Sequence, residues 1–485
     1  SFERMILLFG LFLIGVTTSA PVDHPDRVTN LPGAPTEPHV SLFSGYLHVQ
    51  DNDTQHNIFY VLCEAIRSNP TESPLIVWLN GGPGASSLMG LLLEHGPFLL
   101  DPSTGKPEYN DFSWNQYANV LYIESPTGVG FSYSAENSTQ FTNDDSTARL
   151  NRMALQDFMN RVHPSYAKND FYLAGESYAG AYIPYLTREI LNHTVDGEFT
   201  NANFKGIAMG NAAVDDFSNR AAASLQMYSL GLIPEQPANR YTPSDFRQSE
   251  GLFRQWERIL NGEKNPSDKQ ADDAYDTTYD QIGTDARYDL PLQCNNEEDA
   301  TLWHISKPVP NAECQWMNLT KTYLNRVDVQ RALHVHSENR PFVNWIAINH
   351  ALHNSYTQDV DTIHVYKDIV ALAPKNFRIL FYTGDLDLIC PPLQVAFGAR
   401  RIAEENGMRM RHSDSPSNWR YLGDLGGGRI SYHSKGGITM DVLTVRGAGH
   451  MVPINQPDRA FQLINNFIST QPGEAVDYSK MIPRR

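Results

Sequence analysis

The sequence predicts an α/β fold, a central and mostly parallel sheet covered by helices, with an inserted cap region. Two observations predict it. Short apolar runs recur along the chain with helix-length stretches between them, the alternation of a sheet layered by helices. Asn80, Ser177, Asp387 and His450 each stand just after one of those runs, and ligands of open α/β sheets bind beyond the carboxyl ends of the strands.

The runs, in order, are Leu75-Ile76-Val77-Trp78-Leu79, Val120-Leu121-Tyr122-Ile123, Phe171-Tyr172-Leu173-Ala174, Gly206-Ile207-Ala208-Met209, Arg378-Ile379-Leu380-Phe381-Tyr382 and Asp441-Val442-Leu443-Thr444-Val445. Each is short and apolar, with the β-branched and aromatic residues that suit a strand. Phe59-Tyr60-Val61-Leu62 is strand-like as well, and Cys63 beside it is expected as a buried free thiol. From about residue 215 to about 322 the rhythm breaks into polar stretches such as Asp272-Asp273-Ala274-Tyr275-Asp276 and Asn295-Asn296-Glu297-Glu298-Asp299. Phe253, Trp256, Trp303 and Trp316 in that region require burial, so it reads as a cap over the active end of the sheet. The core is then divided into 31–214 and 323–472 around a cap at 215–322, with a C-terminal tail at 473–485. Gly426-Gly427-Gly428 reads as a flexible loop or turn.

Composition excludes some partners. A chain of 485 residues with 41% hydrophobic and 11% aromatic content has ample material for a core. Its formal charge of −17 argues against nucleic acid and anionic membrane. Residues 6–16 are apolar and uncharged and lead into Thr17-Thr18-Ser19-Ala20, which marks 1–20 as a signal peptide with Met5 as the initiator. Eleven apolar residues are too few to span a bilayer, and no later stretch resembles a membrane anchor. Sequons at Asn52, Asn137, Asn192 and Asn318 fit a glycosylated secretory protein. The four cysteines match no zinc spacing, and no cofactor or metal is expected.

The chemistry centres on Gly175-Glu176-Ser177-Tyr178-Ala179-Gly180, between the run ending at Ala174 and the helix-like Tyr182-Ile183-Pro184-Tyr185-Leu186-Thr187. A serine between small residues at a strand-to-helix turn is how an α/β-hydrolase lifts a hydroxyl above its sheet, although Ala179 replaces the second glycine of the strict pattern. Hydrolysis by serine needs a base, a carboxylate to orient it, and donors for the oxyanion. His450, in the glycine-rich turn Gly447-Ala448-Gly449-His450, and Asp387, in Gly384-Asp385-Leu386-Asp387, supply the first two in the α/β-hydrolase order Ser, Asp, His. Local chemistry does not separate Asp387 from Asp385, since a two-residue shift keeps both on one side of an extended chain. Asn80-Gly81-Gly82-Pro83-Gly84 lacks the Gly-Lys-Ser/Thr of a phosphate loop. It reads as an oxyanion loop, with the N–H of Gly82 acting beside that of Tyr178.

With these residues in place the chain resembles the serine carboxypeptidase family, in particular its lysosomal cathepsin A branch, from about residue 31 to 468. The matching segments include Phe43-Ser44-Gly45-Tyr46-Leu47, Trp78-Leu79-Asn80-Gly81-Gly82-Pro83-Gly84, Glu124-Ser125-Pro126-Thr127-Gly128-Val129-Gly130 and the segments carrying Ser177, Asp387 and His450. The resemblance implies a serine-type carboxypeptidase with Asp387 as the triad aspartate. It implies recognition of a peptide's terminal carboxylate by Asn80, the Gly81 N–H, Glu94 and Glu176, with Trp78 in the same network. Ionised carboxylates crowded together repel, so protons are shared and a protonated glutamate donates to the substrate; such a site works best in acid.

The resemblance further implies that Met451, Met89 and Leu93 line a pocket for a hydrophobic C-terminal residue and that Cys390 lies buried near the pocket for the preceding one. Cys294 and Cys314 are implied to pair. A second family disulfide is lost, because Ala85 stands for one cysteine and its counterpart region, 341–344, has none. The expected partners are peptides, with a homodimer and lysosomal glycosidases implied by the cathepsin A likeness. Acyl transfer and a protective scaffold role are the alternatives. His334 and His336, and the pair His350 and His353, are expected as satisfied surface or core histidines.

Overall fold

In the computed structural model the described residues are 24–134, 142–201, 203–232, 254–258, 263, 316–338, 340–359, 361–411 and 416–483. The expected signal peptide at 1–20, Asn137, Cys294, Cys314, and most of 215–322 lie outside them.

Among the described residues fourteen strands are formed. They are β1 (Arg27–Val28), β2 (Leu42–Asp51), β3 (Thr54–Cys63), β4 (Leu75–Leu79), β5 (Phe98–Leu100), β6 (Pro107–Tyr109) and β7 (Asn119–Ile123). The rest are β8 (Tyr133–Ser134), β9 (Phe171–Glu176), β10 (Phe204–Gly210), β11 (Arg378–Gly384), β12 (Ser417–Tyr421), β13 (Asp424–His433) and β14 (Thr439–Val445). The main sheet runs β1-β2-β3-β7-β4-β9-β10-β11-β14-β13-β12, with β8 beside β3 and a separate β5-β6 pair. Its middle, from β7 through β4, β9, β10 and β11 to β14, is parallel. The flanks are antiparallel.

A strand buried on both faces alternates its side chains between two cores. Leu75, Val77 and Leu79 join one apolar cluster, with Leu121, Leu173, Ile207 and Phe381. Ile76 and Trp78 join the other, with Tyr122, Tyr172, Ala208 and Tyr382. Helices α1 (Asp144–Asp157), α2 (Ala179–Val195) and α5 (Pro392–Glu405) bury apolar residues in the first cluster, and α6 (Pro457–Ser469) covers the second with Leu463, Ile464 and Phe467. Between α2 and α5 come α3 (Asp216–Ser229) and the short α4 (His350–Ser355). Among the described residues no helix is long and apolar enough to cross a membrane. The segment from 473 is laid onto the sheet: Tyr478 is buried and its hydroxyl donates to Asp441 Oδ2 at 2.9 Å.

The glycine triplet corrects the expectation of a flexible loop. Gly426-Gly427-Gly428 is part of β13 and pairs with both β12 and the β14 side of the sheet. The reason is steric: a Cβ on Gly427 would come within 1.8 Å of Thr444 O, and one on Gly426 within 2.6 Å of the Trp419 ring. The indole of Trp419 uses that closeness to donate to Thr444 O at 2.9 Å. Gly427→Ala should therefore lower stability by about 1–3 kcal/mol, read from the urea midpoint. An unchanged midpoint would mean the strands part at no cost.

Candidate active site

Ser177 occupies the turn between β9 and α2 with φ +60°, a left-handed backbone that L-residues with a side chain adopt at a cost. The turn is held by backbone bonds: Ser177 N–H donates to Gly210 O at 3.0 Å, and Ser177 O accepts from Gly180 and Ala213 N–H, each at 2.9 Å. The Gly81 loop approaches so closely that a Cβ there would lie 2.3 Å from Tyr178 N and 2.9 Å from Ser177 Cβ. Only glycine fits. Among the described residues the amides of Gly81, Gly82 and Tyr178 donate to no protein acceptor, which leaves them available beside the hydroxyl.

Two strands further along, Asp387 and His450 meet. His450 Nδ1 lies 2.7 Å from Asp387 Oδ2, and both side chains are fully buried. Asp387 also accepts from Asn211 Nδ2 at 2.7 Å, Cys390 N–H at 3.1 Å and Ile389 N–H at 2.8 Å. Contacts on both oxygens fix the plane of the carboxyl group. Asp385 has a different task, since its Oδ1 accepts from Gly447 N–H at 2.6 Å and shapes the turn that leads to His450. Burial raises its pKa. The loop is braced from α3, where Gln226 Nε2 donates to the backbone oxygens of Asp385 and Asp387 at 3.1 and 3.0 Å.

Asn211 was missed in the sequence. It directly follows β10, its own N–H donates to Tyr382 O, and it links the Ser177 strand end to Asp387. Its position just past a parallel strand is the signal that singled out Asn80.

On the other side of Ser177 stands a buried cluster of polar groups. Asn80 Oδ1 accepts from Trp78 Nε1 at 2.8 Å and from Gly90 N–H at 3.1 Å. That orientation turns Nδ2 toward two carboxyls, donating to Glu94 Oε1 at 3.0 Å and to Glu176 Oε1 at 2.9 Å. Glu94 comes from a π-helical turn, Gly90–Glu94, and Glu176 from the end of β9. Both are buried. Burial raises the pKa of each, and the contact between them holds Glu94 down and pushes Glu176 further up. The pair thus keeps a proton where an isolated glutamate has lost it.

A cavity of about 170 Å³ opens between these groups and Ser177. Its polar wall is Asn80, Gly81, Gly82, Glu176 and Ser177, and its apolar wall is Ala85, Met89 and Ile348. Leu93 and Met451 pack against Met89 in a small buried cluster with Ile454, backing that wall rather than lining the cavity. Cys390 is buried with its N–H on Asp387, and Cys63 is a buried free thiol. His350 and His353, expected merely as satisfied histidines, complete the cavity wall from α4.

The segment facing Ala85 also differs from the expectation. Its partner is Ile348, not a residue of 341–344: the two form an antiparallel bridge, with Ser86 N–H donating to Ala347 O at 2.8 Å and Asn349 N–H to Gly84 O at 2.9 Å. Apolar contact and backbone bonding join the two segments there without a covalent link. Both also converge on Glu124, a fully buried carboxyl that accepts from Ser86 Oγ, from Trp345 Nε1 at 3.1 Å and from Phe131 N–H. Burial pushes the Glu124 pKa up to about 7, against the pull of these hydrogen bonds.

The other histidines expected to be ordinary are so. His334 and His336 bond backbone oxygens of Ser44 and Arg340, each at 2.8 Å. His24, Asp26 and His163 bring possible ligand atoms within 4.8 Å of one another. There the Tyr60 hydroxyl already bridges Asp26 and His163, and His24 is taken up by Val162 O and the Asp26 N–H. Asn52, Asn192 and Asn318 are exposed.

The model of one family, serine carboxypeptidase, matches residues 32–470. The chain belongs to the serine carboxypeptidase family. As a member it is a serine-type carboxypeptidase, a hydrolase, on the α/β-hydrolase fold. It is 30% identical to the serine carboxypeptidase ctsa-4.1 of Caenorhabditis elegans, over 99% of each chain. It is 31% identical to the lysosomal protective protein of Mus musculus, covering 96% of this chain and 98% of that one. In structure it is similar to Kex1Δp, a prohormone-processing carboxypeptidase from Saccharomyces cerevisiae, with a TM-score of 0.68 over 90% of this chain and 93% of that one. At 20% identity this last likeness concerns the fold alone.

Proposed function

We propose that the protein removes single residues, with apolar side-chain surface, from peptide carboxyl termini in acidic surroundings through an acyl intermediate on Ser177. In this reading His450 takes the Ser177 proton as Oγ bonds to the scissile carbonyl carbon. Asp387 holds the imidazole in place and offsets its positive charge. The amides of Gly82 and Tyr178 receive the oxyanion. His450 then returns the proton to the departing amine as the C–N bond breaks, and water repeats the sequence to free the enzyme. The residues near 6–16 and the exposed sequons support a route through the secretory pathway to a lysosome or to the exterior.

The observation that carries the reading is the Asn80 bridge between two buried carboxyls at the edge of the Ser177 cavity. A third carboxylate, the end of a peptide, is welcome there only while Glu94 and Glu176 hold protons that they can donate. Both pKa values are raised, so the pair donates at acidic pH and repels the substrate as pH rises through those values.

The test is a pair of blocked dipeptides, one with a free and one with an amidated end, assayed from acidic to neutral pH. The free end should be cleaved roughly 30-fold faster or more, the worth of charge-assisted hydrogen bonds, with KM climbing as pH rises. Glu176→Gln should flatten that climb, because an amide does not ionise. Equal rates on both peptides would leave a serine hydrolase that does not read the terminal carboxylate.

A further inference from the structure

Resting on that reading, the geometry points to a narrower substrate class: we propose that His350 and His353 form an anion-recognising wall of the cavity and select peptides that end in glutamate.

The two rings are three residues apart on α4, so they share one face of the helix. His350 is exposed and His353 half-buried, and both line the cavity together with Ala85, Met89 and Ile348. A leaving residue must stretch from Ser177 to Asn80 and Glu176, so its side chain projects into this same cavity. The cavity offers both apolar surface, from Met89, Ala85 and Ile348, and imidazole, from His350 and His353. Two methylenes and a carboxylate can use both kinds of surface, which a wholly apolar chain cannot.

The rings are also available. His350 is exposed and makes no hydrogen bond among the described residues, and His353 uses Nδ1 to donate to Pro83 O at 3.0 Å. A carbonyl only accepts, so Nδ1 carries a proton and that contact leaves Nε2 of the ring unused. Among the described residues no carboxylate lies within ion-pair distance of either ring.

The acids on neighbouring elements are engaged elsewhere. Asp144 of α1 accepts from Tyr178, Tyr356 and the Asp359 N–H. Asp359 itself accepts from the Tyr185 hydroxyl and approaches His364. Glu124 accepts from Ser86, Trp345 and Phe131, and Glu94 and Glu176 are tied to Asn80 and to each other. A carboxylate carried in by the substrate would be the counter-ion the two imidazoles lack.

The test compares blocked dipeptides ending in Glu, Gln, Lys and Leu, using kcat/KM at about pH 5 and about pH 7.5, on either side of the usual histidine range. The Glu-to-Gln ratio cancels effects at the terminal carboxylate, which both peptides share. It should be about three- to tenfold at the lower pH, the size of a partly exposed charge pair, and fall toward one at the higher. Lys should be the poorest. His350→Asn with His353→Asn keeps an amide donor for Pro83 O and removes the charge, so the ratio at low pH should drop to about one; His350→Asn alone, at an exposed position, should lower it partway. A wild-type ratio of one or below at low pH, or a ratio the variants leave intact, overturns the proposal. Leu is the reference: its cleavage with a flat Glu-to-Gln ratio sinks this inference alone, whereas no cleavage of any free-ended peptide sinks the exopeptidase reading with it.

Discussion

Ser177→Ala is expected to lower kcat/KM on a blocked dipeptide by about a millionfold, the loss seen when a serine nucleophile acting as one unit with its base is removed. No neighbour stands in for the hydroxyl: the other polar groups of the cavity wall are an amide, a carboxyl, backbone N–H groups and imidazoles. The substitution should leave the fold alone, because the turn is held by the Ser177, Gly180 and Ala213 backbone rather than by the side chain. The backbone at φ +60° adds a second readout. Ser177→Gly should be equally inactive yet more stable by about 1 kcal/mol, since glycine accepts the left-handed conformation at no steric cost. Circular dichroism melts beside single-turnover assays would check both. Wild-type turnover by either variant would refute the nucleophile.

Glu124→Gln is expected to remove about 3 kcal/mol of pH-dependent stability. The folded-state pKa of about 7 lies above the ordinary 4.5, so between those values the native protein binds the proton that the unfolded chain has released. Stability from this group is therefore fully present below about pH 4.5 and is lost as pH rises to about 7, roughly 1.4 kcal/mol per unit.

The whole protein will not show this pH dependence cleanly, because His95 and His163 act in the opposite sense. Burial lowers both their pKa values, that of His163 to about 3, so they weaken the fold as pH falls below the usual histidine range. The difference between wild type and variant isolates Glu124. Urea midpoints should show the wild type well ahead in acid, where the glutamine amide also sets a donor against Ser86, Trp345 or Phe131 N–H. Toward neutral pH that lead should shrink by about 3 kcal/mol. A lead independent of pH would mean that Glu124 keeps an ordinary pKa despite its burial.

Much of the sheet was legible because its signal is local. Strands buried on both faces must be short and apolar throughout, and Leu75–Leu79 and its relatives are. Their carboxyl ends must carry the chemistry, and Asn80, Ser177, Asp387 and His450 stand there. The glycine triplet went the other way. A glycine run signals a turn by its freedom, whereas here glycine is needed for closeness, to Trp419 and Thr444 on neighbouring strands. That requirement is invisible until the strands are paired.

The site divides in the same manner. The sequence by itself determined which residue types stand at the strand ends and that a serine sits on a strand-to-helix turn, because periodicity and turn chemistry are written over a few adjacent residues. The tertiary structure decided which of two nearby aspartates receives His450, that Asn211 braces it, that Ala85 faces Ile348, and that His350 and His353 wall the cavity. Those are contacts between segments up to hundreds of residues apart. The order of strands in the sheet and the packing of α4 on the Gly81 loop create them, and no local pattern carries that information.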